Sequence, residues 1–173
     1  PGTYLPTATI TVTTNVTLTG SDENFNRVVV NGRGAIRVFN VIGAGASVRN
    51  IAIANGKAVN EGGGWNYGGG AKIQNGGVIS NCFITACTNA SVYSAGGAVD
   101  IVNGQLLDST ISGNKGGSFF RGLAVDLRHA SALMDRCVVT NNFTAGLQNG
   151  GDSNWRGGAV WIDAGGTVRN TII

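Results

Sequence analysis

The chain has 173 residues, enough for one domain with its own core, and glycine fills 29 positions whereas proline fills two. Charged residues make up only 12%, and the net charge of +3 comes from scattered side chains rather than from a lysine- or arginine-rich block. No apolar run approaches the roughly 18 residues that span a bilayer, and a hydrophobic content of 42% is too high for a disordered chain. The composition excludes a membrane span, a coiled coil and a typical nucleic-acid-binding protein, and it favours a β protein punctuated by glycine.

Taken in chain order, the predicted elements are short strands. Residues 10–12, 16–19 and 36–41 alternate between apolar and polar side chains. A period of two is the pattern of a β-strand, and no amphipathic pattern of about ten residues or more, which a helix would need, appears anywhere in the chain. The protein is therefore predicted to consist of short strands joined by turns.

One strand pattern recurs along the chain after a glycine-rich turn. Four copies align well, at residues 68–73, 96–101, 122–127 and 157–162, and a fifth at residues 36–41 lacks the glycines. Each copy is followed by a second alternating segment, at residues 48–53, 79–84, 106–111, 134–139 and 168–173. The interval drifts around about 30 residues, which indicates stacked rungs of a β-solenoid in which one loop per rung varies in length.

Alternation within the recurring strands predicts which side chains enter the core. The inward-facing apolar residues are expected to stack from rung to rung, as Ile73, Ile101, Leu127 and Ile162. The residues between the inward positions are expected to point outward, as Lys72, Asp100, Asp126 and Trp161. Arg128 falls in the next outward column.

A second recurring position predicts a sharp corner between two strands. It is occupied by Asn50, Asn81, Asp108, Arg136 and Asn170. Asn and Asp tolerate the left-handed backbone conformation that a sharp corner needs. Stacked about 4.8 Å apart, these side chains are expected to form a ladder of amide hydrogen bonds, which Arg136 interrupts.

The three cysteines, Cys82, Cys87 and Cys137, are predicted to be buried and unreactive. They show no metal-binding spacing and the only histidine is His129, so no cofactor is expected. Cys82 and Cys137 share a column two rungs apart, roughly 9–10 Å, which is too far for a disulfide.

Several of these segments resemble a known family. The opening Pro1-Gly2-Thr3-Tyr4, the repeated Gly-Gly-Ala-Val, Ile-Ser-Gly-Asn at residues 111–114 and Val-Thr-Asn-Asn at residues 139–142 resemble the pectate-lyase-like superfamily. They are also similar to the passenger repeats of surface autotransporters. The resemblance implies an all-β, right-handed parallel β-helix of about six rungs with three short strands per rung, at an extracellular or cell-surface location.

The whole chain, residues 1–173, is predicted to form a single β-helix domain. In the family that it resembles, Pro-Gly-Thr-Tyr follows further sequence that caps the helix, and this chain stops inside a predicted strand at Ile173. An open solenoid end offers unpaired backbone to other strands. The domain is expected to be a fragment of a larger protein or a subunit whose ends another chain covers, including head-to-tail association.

The outward column motivates a catalytic hypothesis. Asp100 and Asp126 are expected to lie about 5 Å apart, and two carboxylates that close raise one pKa, as acid–base catalysis requires. The resemblance implies a polysaccharide lyase or glycoside hydrolase that acts on an acidic polysaccharide, with calcium held by acidic ligands and Arg128 or Lys72 as the base. The competing interpretation is that these charges are solvated and neutralise one another.

The variable loops carry most of the large aromatic side chains along one edge of the solenoid. They are Trp65, Tyr67, Tyr93, Phe119, Phe120 and Trp155, and Trp161 lies in the strand that follows. Exposed aromatic rings stack on sugars or anchor protein partners, whereas rings folded over the loops would shield the strands beneath. The sequence leaves both alternatives open.

These features favour a structural or adhesive module over an enzyme. The module would present its aromatic loops to a glycan or a protein surface and could join other copies end to end. No nucleic-acid partner and no membrane span are expected. The alternative is the polysaccharide lyase or glycoside hydrolase that uses Asp100, Asp126, Arg128 and Lys72.

Overall fold

The chain folds into a three-sided parallel β-helix. The computed structural model describes residues 2–21, 28–60, 66–89, 93–116, 119–144 and 158–173. Three sheets of six strands, here called sheets A, B and C, form the sides. Neighbouring strands within each of them run parallel, and the chain visits A, B and C in turn. The predicted architecture of six rungs with three strands each is therefore confirmed.

The strands of the three sheets are three or four residues long and repeat in the same order. Sheet A contains β1 (Gly2–Tyr4), β4 (Val28–Asn31), β7 (Ala52–Ala54), β12 (Phe83–Thr85), β16 (Thr110–Ser112) and β21 (Val138–Thr140). Sheet B contains β2 (Ile10–Thr13), β5 (Phe39–Ile42), β10 (Ala71–Gln74), β14 (Val99–Ile101), β19 (Val125–Leu127) and β23 (Val160–Ile162). Sheet C contains β3 (Thr17–Thr19), β6 (Ser47–Arg49), β11 (Val78–Ser80), β15 (Gln105–Leu107), β20 (Leu133–Asp135) and β24 (Thr167–Arg169). The described residues form no helix, and hence none that is long and apolar enough to cross a membrane.

The predicted inward stack is confirmed. Ile73 is in register with Ile101, Ile101 with Leu127, and Leu127 with Ile162. The first three side chains are fully buried, whereas Ile162 in the last rung is 48% exposed. Parallel in-register strands place each inward side chain above its equivalent in the next rung, so one apolar core runs through the molecule.

The corner between sheets C and A forms where the sequence predicted it. The five residues at this position have positive φ, between 46° and 60°: Asn50, Asn81, Asp108, Arg136 and Asn170. The side-chain amide of Asn81 donates to the Asn50 side-chain oxygen at 3.0 Å. The expected uniform ladder needs correction further along, because Arg136 donates two hydrogen bonds, of 2.6 and 2.9 Å, to the Asp108 carboxylate. An ion pair replaces the amide contact there.

After four of the five corners, the next residue donates a side-chain hydrogen bond inside the turn. Cys82, Ser109, Cys137 and Thr171 each donate to the carbonyl oxygen two residues earlier, at 3.2, 2.7, 3.4 and 2.8 Å. Ser109 lies between Cys82 and Cys137 in this column, so the two thiols are two rungs apart as predicted. Burial raises the pKa of Cys82 to about 12 and that of Cys137 to about 11, which keeps both thiols protonated.

The loops between sheets A and B form a fourth sheet, here called the loop sheet. Its strands are β8 (Val59–Asn60), β9 (Asn66–Tyr67), β13 (Tyr93–Ala95) and β18 (Phe119–Arg121). β9, β13 and β18 run parallel, and β8 is antiparallel to β9. A further parallel pair, β17 (Lys115–Gly116) and β22 (Phe143–Thr144), lies at the start of two loops. The variable loops therefore follow the same rung-by-rung order as the core.

A second asparagine column, which the sequence analysis did not identify, anchors the start of these loops. The Asn114 side chain is fully buried, and its oxygen accepts a hydrogen bond of 3.0 Å from the backbone N–H of Cys87. The Asn142 side-chain oxygen accepts from the backbone and side-chain N–H groups of Asn114, at 3.0 and 2.9 Å. The signal was present in the sequence, since Asn114 and Asn142 end the related tetrapeptides at 111–114 and 139–142. Buried amides bonded in this way fix the direction in which each loop leaves the β-helix.

Candidate functional site

The predicted outward column of sheet B is confirmed as a row of neighbours. Lys72 is in register with Asp100, and Asp100 is in register with Asp126. Asn40 precedes Lys72 in the row, and Trp161 follows Asp126. Asp100 and Asp126 therefore occupy equivalent positions in neighbouring rungs, as predicted, on strands that lie about 4.8 Å apart.

The two carboxyl groups do not face solvent, which corrects the sequence prediction. Asp100 and Asp126 have 0% exposed surface, and Lys72 and Trp161 are half-buried. Alternation placed all four side chains on the face away from the core. On that face, the Arg128 guanidinium bonds to the Asp100 carboxylate and lies over the ring of Tyr67, which belongs to β9 of the loop sheet. The polar side chains on the outer face of sheet B are here called the buried polar layer, which comprises Arg37, Asn40, Lys72, Asp100, Asp126 and Arg128.

Arg128 and Asp100 form the central ion pair of the buried polar layer. The Nε and one terminal nitrogen of Arg128 donate to the two carboxylate oxygens of Asp100, each at 2.7 Å. The guanidinium carbon of Arg128 lies 4.0 Å from the centroid of the Tyr67 ring. A partly desolvated guanidinium between a carboxylate and an aromatic ring is attracted by both. Arg128 therefore connects sheet B to strand β9 of the loop sheet.

Arg37 forms a second connection that the sequence analysis missed. Only 2% of Arg37 is exposed. Its guanidinium donates to the backbone carbonyl oxygens of Gly68 and Tyr67 at 3.0 and 2.7 Å, and to the Asn40 side-chain oxygen at 2.9 Å. The available signal was that Arg37 stands where the aligned repeats have a glycine or leucine. A lone charge at an otherwise small or apolar position indicates a specific partner.

The charges in the buried polar layer stabilise one another. Burial raises the pKa of the Asp100 carboxyl, and the positive charges of Arg128, Lys72 and Arg37 oppose that rise. Burial lowers the pKa of the Arg128 guanidinium, but its hydrogen bonds to Asp100 and the charges of Asp100 and Asp126 outweigh burial and raise that pKa. The cations of this layer thus offset part of the cost of burying the Asp100 carboxylate.

The arrangement is suited to holding two sheets together. A general acid or base must come within hydrogen-bond distance of the proton that it transfers. Asp100 and Asp126 expose no surface to a polymeric substrate, and both oxygens of Asp100 already accept bonds from Arg128. The catalytic roles of Asp100, Asp126, Arg128 and Lys72 therefore stay a prediction.

Two of the predicted ligand-binding aromatic residues lie next to the buried polar layer: Tyr67 beside Arg128, and Trp161 in register with Asp126. Tyr67 is half-buried, and its ring covers Arg128. Trp161 is half-buried, and its buried indole N–H has no hydrogen-bond partner within the part of the chain that the structure describes. For Tyr67, the position of the ring over Arg128 agrees with the interpretation that aromatic rings shield the strands beneath the loops.

The other predicted aromatics lie in the loops. Tyr93 of β13 is directly in register with Phe119 of β18, and Phe120 follows at the next position. The loop sheet therefore brings these three residues onto two adjacent strands. Trp65 and Trp155 lie outside the described residues.

A metal site receives no support from the described side chains. No group of three or more His, Cys, Asp or Glu residues among them could hold a metal ion. Cys87 is fully buried, and burial raises its pKa to about 12, so its thiol is a poor metal ligand.

The fold and the buried polar layer define a class of protein: a three-sided parallel β-helix whose loops form a fourth, mixed sheet. No protein-family model matches the chain, and no curated protein or solved structure matches it either. What is shown is therefore the parallel β-helix itself, and any narrower relationship is a matter of proposal.

Proposed function

We propose that this protein is a structural or adhesive β-helix module, located outside the cell or on its surface, that presents its loop sheet to a glycan or a protein. The observation that carries the proposal is that the charged residues of the buried polar layer bond to one another and to the loop sheet. Asp100, Arg128 and Arg37 connect the loop sheet to sheet B; Asp100 and Arg37 are buried, and the Arg128 side chain is 25% exposed. Such bonds favour a rigid scaffold with a defined loop surface.

The loop sheet provides a repetitive surface for recognition. Its parallel strands place equivalent loop positions about 4.8 Å apart, as the paired Tyr93 and Phe119 illustrate. A loop held in one conformation loses less entropy on binding than a free loop. Aromatic residues on such a surface can stack on sugar rings or enter pockets of a protein partner.

The narrower relationship to the pectate-lyase-like superfamily and to autotransporter passenger repeats is part of the same proposal. Three features support it: the three-sided parallel coil, the asparagine-rich corner and the position of Gly2–Tyr4 as the first strand. A surface location follows from the autotransporter resemblance. The charge-poor composition is compatible with that location.

Binding can be tested on a glycan array and on immobilised cell-surface extracts, followed by titration of each positive ligand. Tyr93→Ala and Phe119→Ala are expected to weaken binding by about tenfold each, because aromatic anchors contribute more than other contacts. Phe143→Ala is the matched control, since Phe143 is 53% exposed but lies in β22, outside the loop sheet. Equal losses in all three variants, or no binding by the wild-type protein, would contradict the proposal.

One observation favours the enzyme alternative, namely the adjacency of Asp100, Asp126 and Lys72 in one row. The test is incubation of the protein with polyuronates and neutral glycans, with assays for unsaturated products and for reducing ends. Turnover that disappears in Asp126→Ala and Asp126→Asn, while circular dichroism shows an intact fold, would replace the structural proposal by a polysaccharide lyase or hydrolase.

A further inference from the structure

Two exposed lysines share one column of the β-helix with a threonine between them. Lys57 pairs in parallel with Thr88, and Thr88 pairs in parallel with Lys115, so the three residues lie on successive rungs. This column, here called the lysine row, directly follows sheet A at the point where the loops begin. In each rung the residues before and after the row are buried, whereas Lys57 and Lys115 are exposed and Thr88 is half-buried. The row therefore faces outward.

Hydrogen bonds hold the backbone of the lysine row in place. The N–H of Thr88 donates to the carbonyl oxygen of Gly56, and the N–H of Lys115 donates to that of Cys87, each at 2.8 Å. The buried Asn114 directly precedes Lys115, and its side-chain oxygen accepts a hydrogen bond from the N–H of Cys87, which directly precedes Thr88. A ligand would thus meet a row whose spacing is already fixed, and little entropy would be lost in ordering it.

The positive charges of the lysine row are not neutralised by the part of the chain that the structure describes. Within it, neither Lys57 nor Lys115 forms a side-chain hydrogen bond or an ion pair. Sheet A, which precedes the row, has no charged residue in any of its six strands. The described acidic residues belong to sheets B and C or to the corners where those sheets end: Asp100, Asp108, Asp126, Asp135 and Asp163. The row is therefore an electropositive strip beside a neutral face, which suits an anionic partner.

The spacing of the two charges favours one class of anion. Lys57 and Lys115 are two rungs apart, which is about 9.6 Å. This interval is comparable to the length of a disaccharide in an extended chain. A polysaccharide with an acidic group on every second sugar presents its charges at that interval, and the sugar between them would meet the Thr88 hydroxyl, which both donates and accepts hydrogen bonds. A nucleic-acid strand instead carries a charge on every nucleotide, and anionic membranes are recognised by larger basic clusters.

We propose that the lysine row binds a linear polysaccharide that carries an anionic group, a carboxylate or a sulfate, on every second sugar. Lys57 and Lys115 contact two successive anionic groups, and Thr88 forms hydrogen bonds with the neutral sugar between them. The polysaccharide runs along the axis of the β-helix at the base of the loops. The row contains none of the aromatic residues of the loop sheet, so it is a second binding surface that goes beyond the proposed function.

Binding is measured by isothermal titration calorimetry with a hyaluronate octasaccharide, in which a uronate alternates with a neutral sugar, at low ionic strength. Lys57→Gln and Lys115→Gln are each expected to raise the Kd about threefold, because each removes one exposed ion pair. Added salt should weaken binding by the wild-type protein. Arg49→Gln is the matched control, since it removes an exposed charge from sheet C, and it should leave the Kd unchanged.

Thr88→Lys tests whether the row recognises the spacing of the charges. The new cation would face a neutral sugar of hyaluronate, but it would face a carboxylate of an oligogalacturonate, which has one on every sugar. Thr88→Lys is expected to lower the Kd for a galacturonate octamer about threefold relative to Thr88→Gln, and to change the Kd for hyaluronate by less than about twofold.

Three results would overturn the inference: no hyaluronate binding by the wild-type protein, an equal loss in Arg49→Gln, and an equal gain for both polysaccharides in Thr88→Lys. Tighter binding to phosphatidylserine vesicles than to hyaluronate would replace the polysaccharide by a membrane surface.

Tyr93→Ala separates this inference from the proposed function. Hyaluronate binding that is lost in Tyr93→Ala and retained in Lys57→Gln contradicts only the lysine row, because the ligand would then belong to the loop sheet. Hyaluronate binding by the row, without any ligand for the loop sheet, contradicts only the proposed function.

Discussion

Three glycines show how single residues determine where a rung enters sheet B. Gly68, Gly96 and Gly122 occupy the same position in successive rungs, and their φ angles are 46°, 52° and 56°. A Cβ atom on any of them would collide with the carbonyl oxygen of the residue three positions later. Glycine is required there both by the left-handed backbone and by the close approach.

Gly96→Ala is expected to lower the free energy of unfolding by about 2–4 kcal/mol, because the strain of a left-handed alanine adds to a steric clash. The measurement is equilibrium unfolding in urea. Gly34→Ala is the control, since Gly34 has φ of 66° but nothing within 4 Å of the added Cβ. It should cost only about 1 kcal/mol. Equal costs would show that the close approach is unimportant.

Residue identity alone located part of the candidate site. Asp100, Asp126, Lys72 and Arg128 were selected because they share outward columns, and the structure places them together. Arg37 was missed, because its partners are the backbone carbonyl oxygens of Gly68 and Tyr67, about one rung later in the chain. A backbone acceptor has no sequence signature, so only the fold reveals such a contact.

At the scale of elements, the loop sheet depends on the buried polar layer. Two ion pairs with the same spacing allow its contribution to be measured. Asp100 pairs bidentately with Arg128, and Asp108 pairs bidentately with Arg136; in each pair the arginine lies 28 residues later. Asp100 has no exposed surface, whereas the Asp108 side chain is 45% exposed. The two pairs differ mainly in their exposure to water.

Asp100→Asn is expected to destabilise the protein by about 2 kcal/mol, since it leaves the partly buried Arg128 without its counter-charge. Asp108→Asn should cost at most about 1 kcal/mol, because water solvates the partner that remains. Urea unfolding measures both values. Hydrogen exchange should become faster in β9, β13 and β18 only for Asp100→Asn. Unchanged exchange in those strands would mean that the ion pair does not hold the loop sheet.

At the scale of the whole molecule, the stability of each rung depends on its contacts with the adjacent rungs, since each rung contacts only its neighbours. Asp135 is the charged link between the last two rungs. Its buried carboxylate accepts hydrogen bonds from Asn170, Arg136 and Arg169 at 2.9, 2.6 and 3.1 Å. The Asn170 hydrogen bond, together with the bond and charge of Arg169 and the charge of Arg136, lowers the pKa of the Asp135 carboxyl.

Stability is therefore expected to fall in acid as Asp135 gains a proton. A carboxyl whose pKa is lower in the folded state stabilises the protein above its unfolded pKa, about 3.9. That contribution is lost as the pH falls through the lowered folded pKa. The midpoint of thermal unfolding, measured from pH 2 to pH 7, should drop less steeply for Asp135→Asn than for the wild-type protein. Parallel curves would assign the acid sensitivity to other groups.

The sequence by itself determined the strands of each rung and the alignment of one rung with the next. The period of two indicated the strands, and the interval of about 30 residues indicated which residues share a column. Those two periods sufficed for the register of Ile73, Ile101 and Leu127, because parallel stacking brings equivalent positions of successive rungs together.

The tertiary structure alone decided what lies over the outer face of sheet B. Asp100 and Asp126 follow the alternation of a solvent-facing column, yet they are buried. Their environment depends on where loops of unequal length return, and that path is set by contacts far apart in the sequence, such as those of Arg37 and Arg128 with Tyr67. Alternation reports which face of a strand a side chain occupies, whereas burial depends on what else packs against that face.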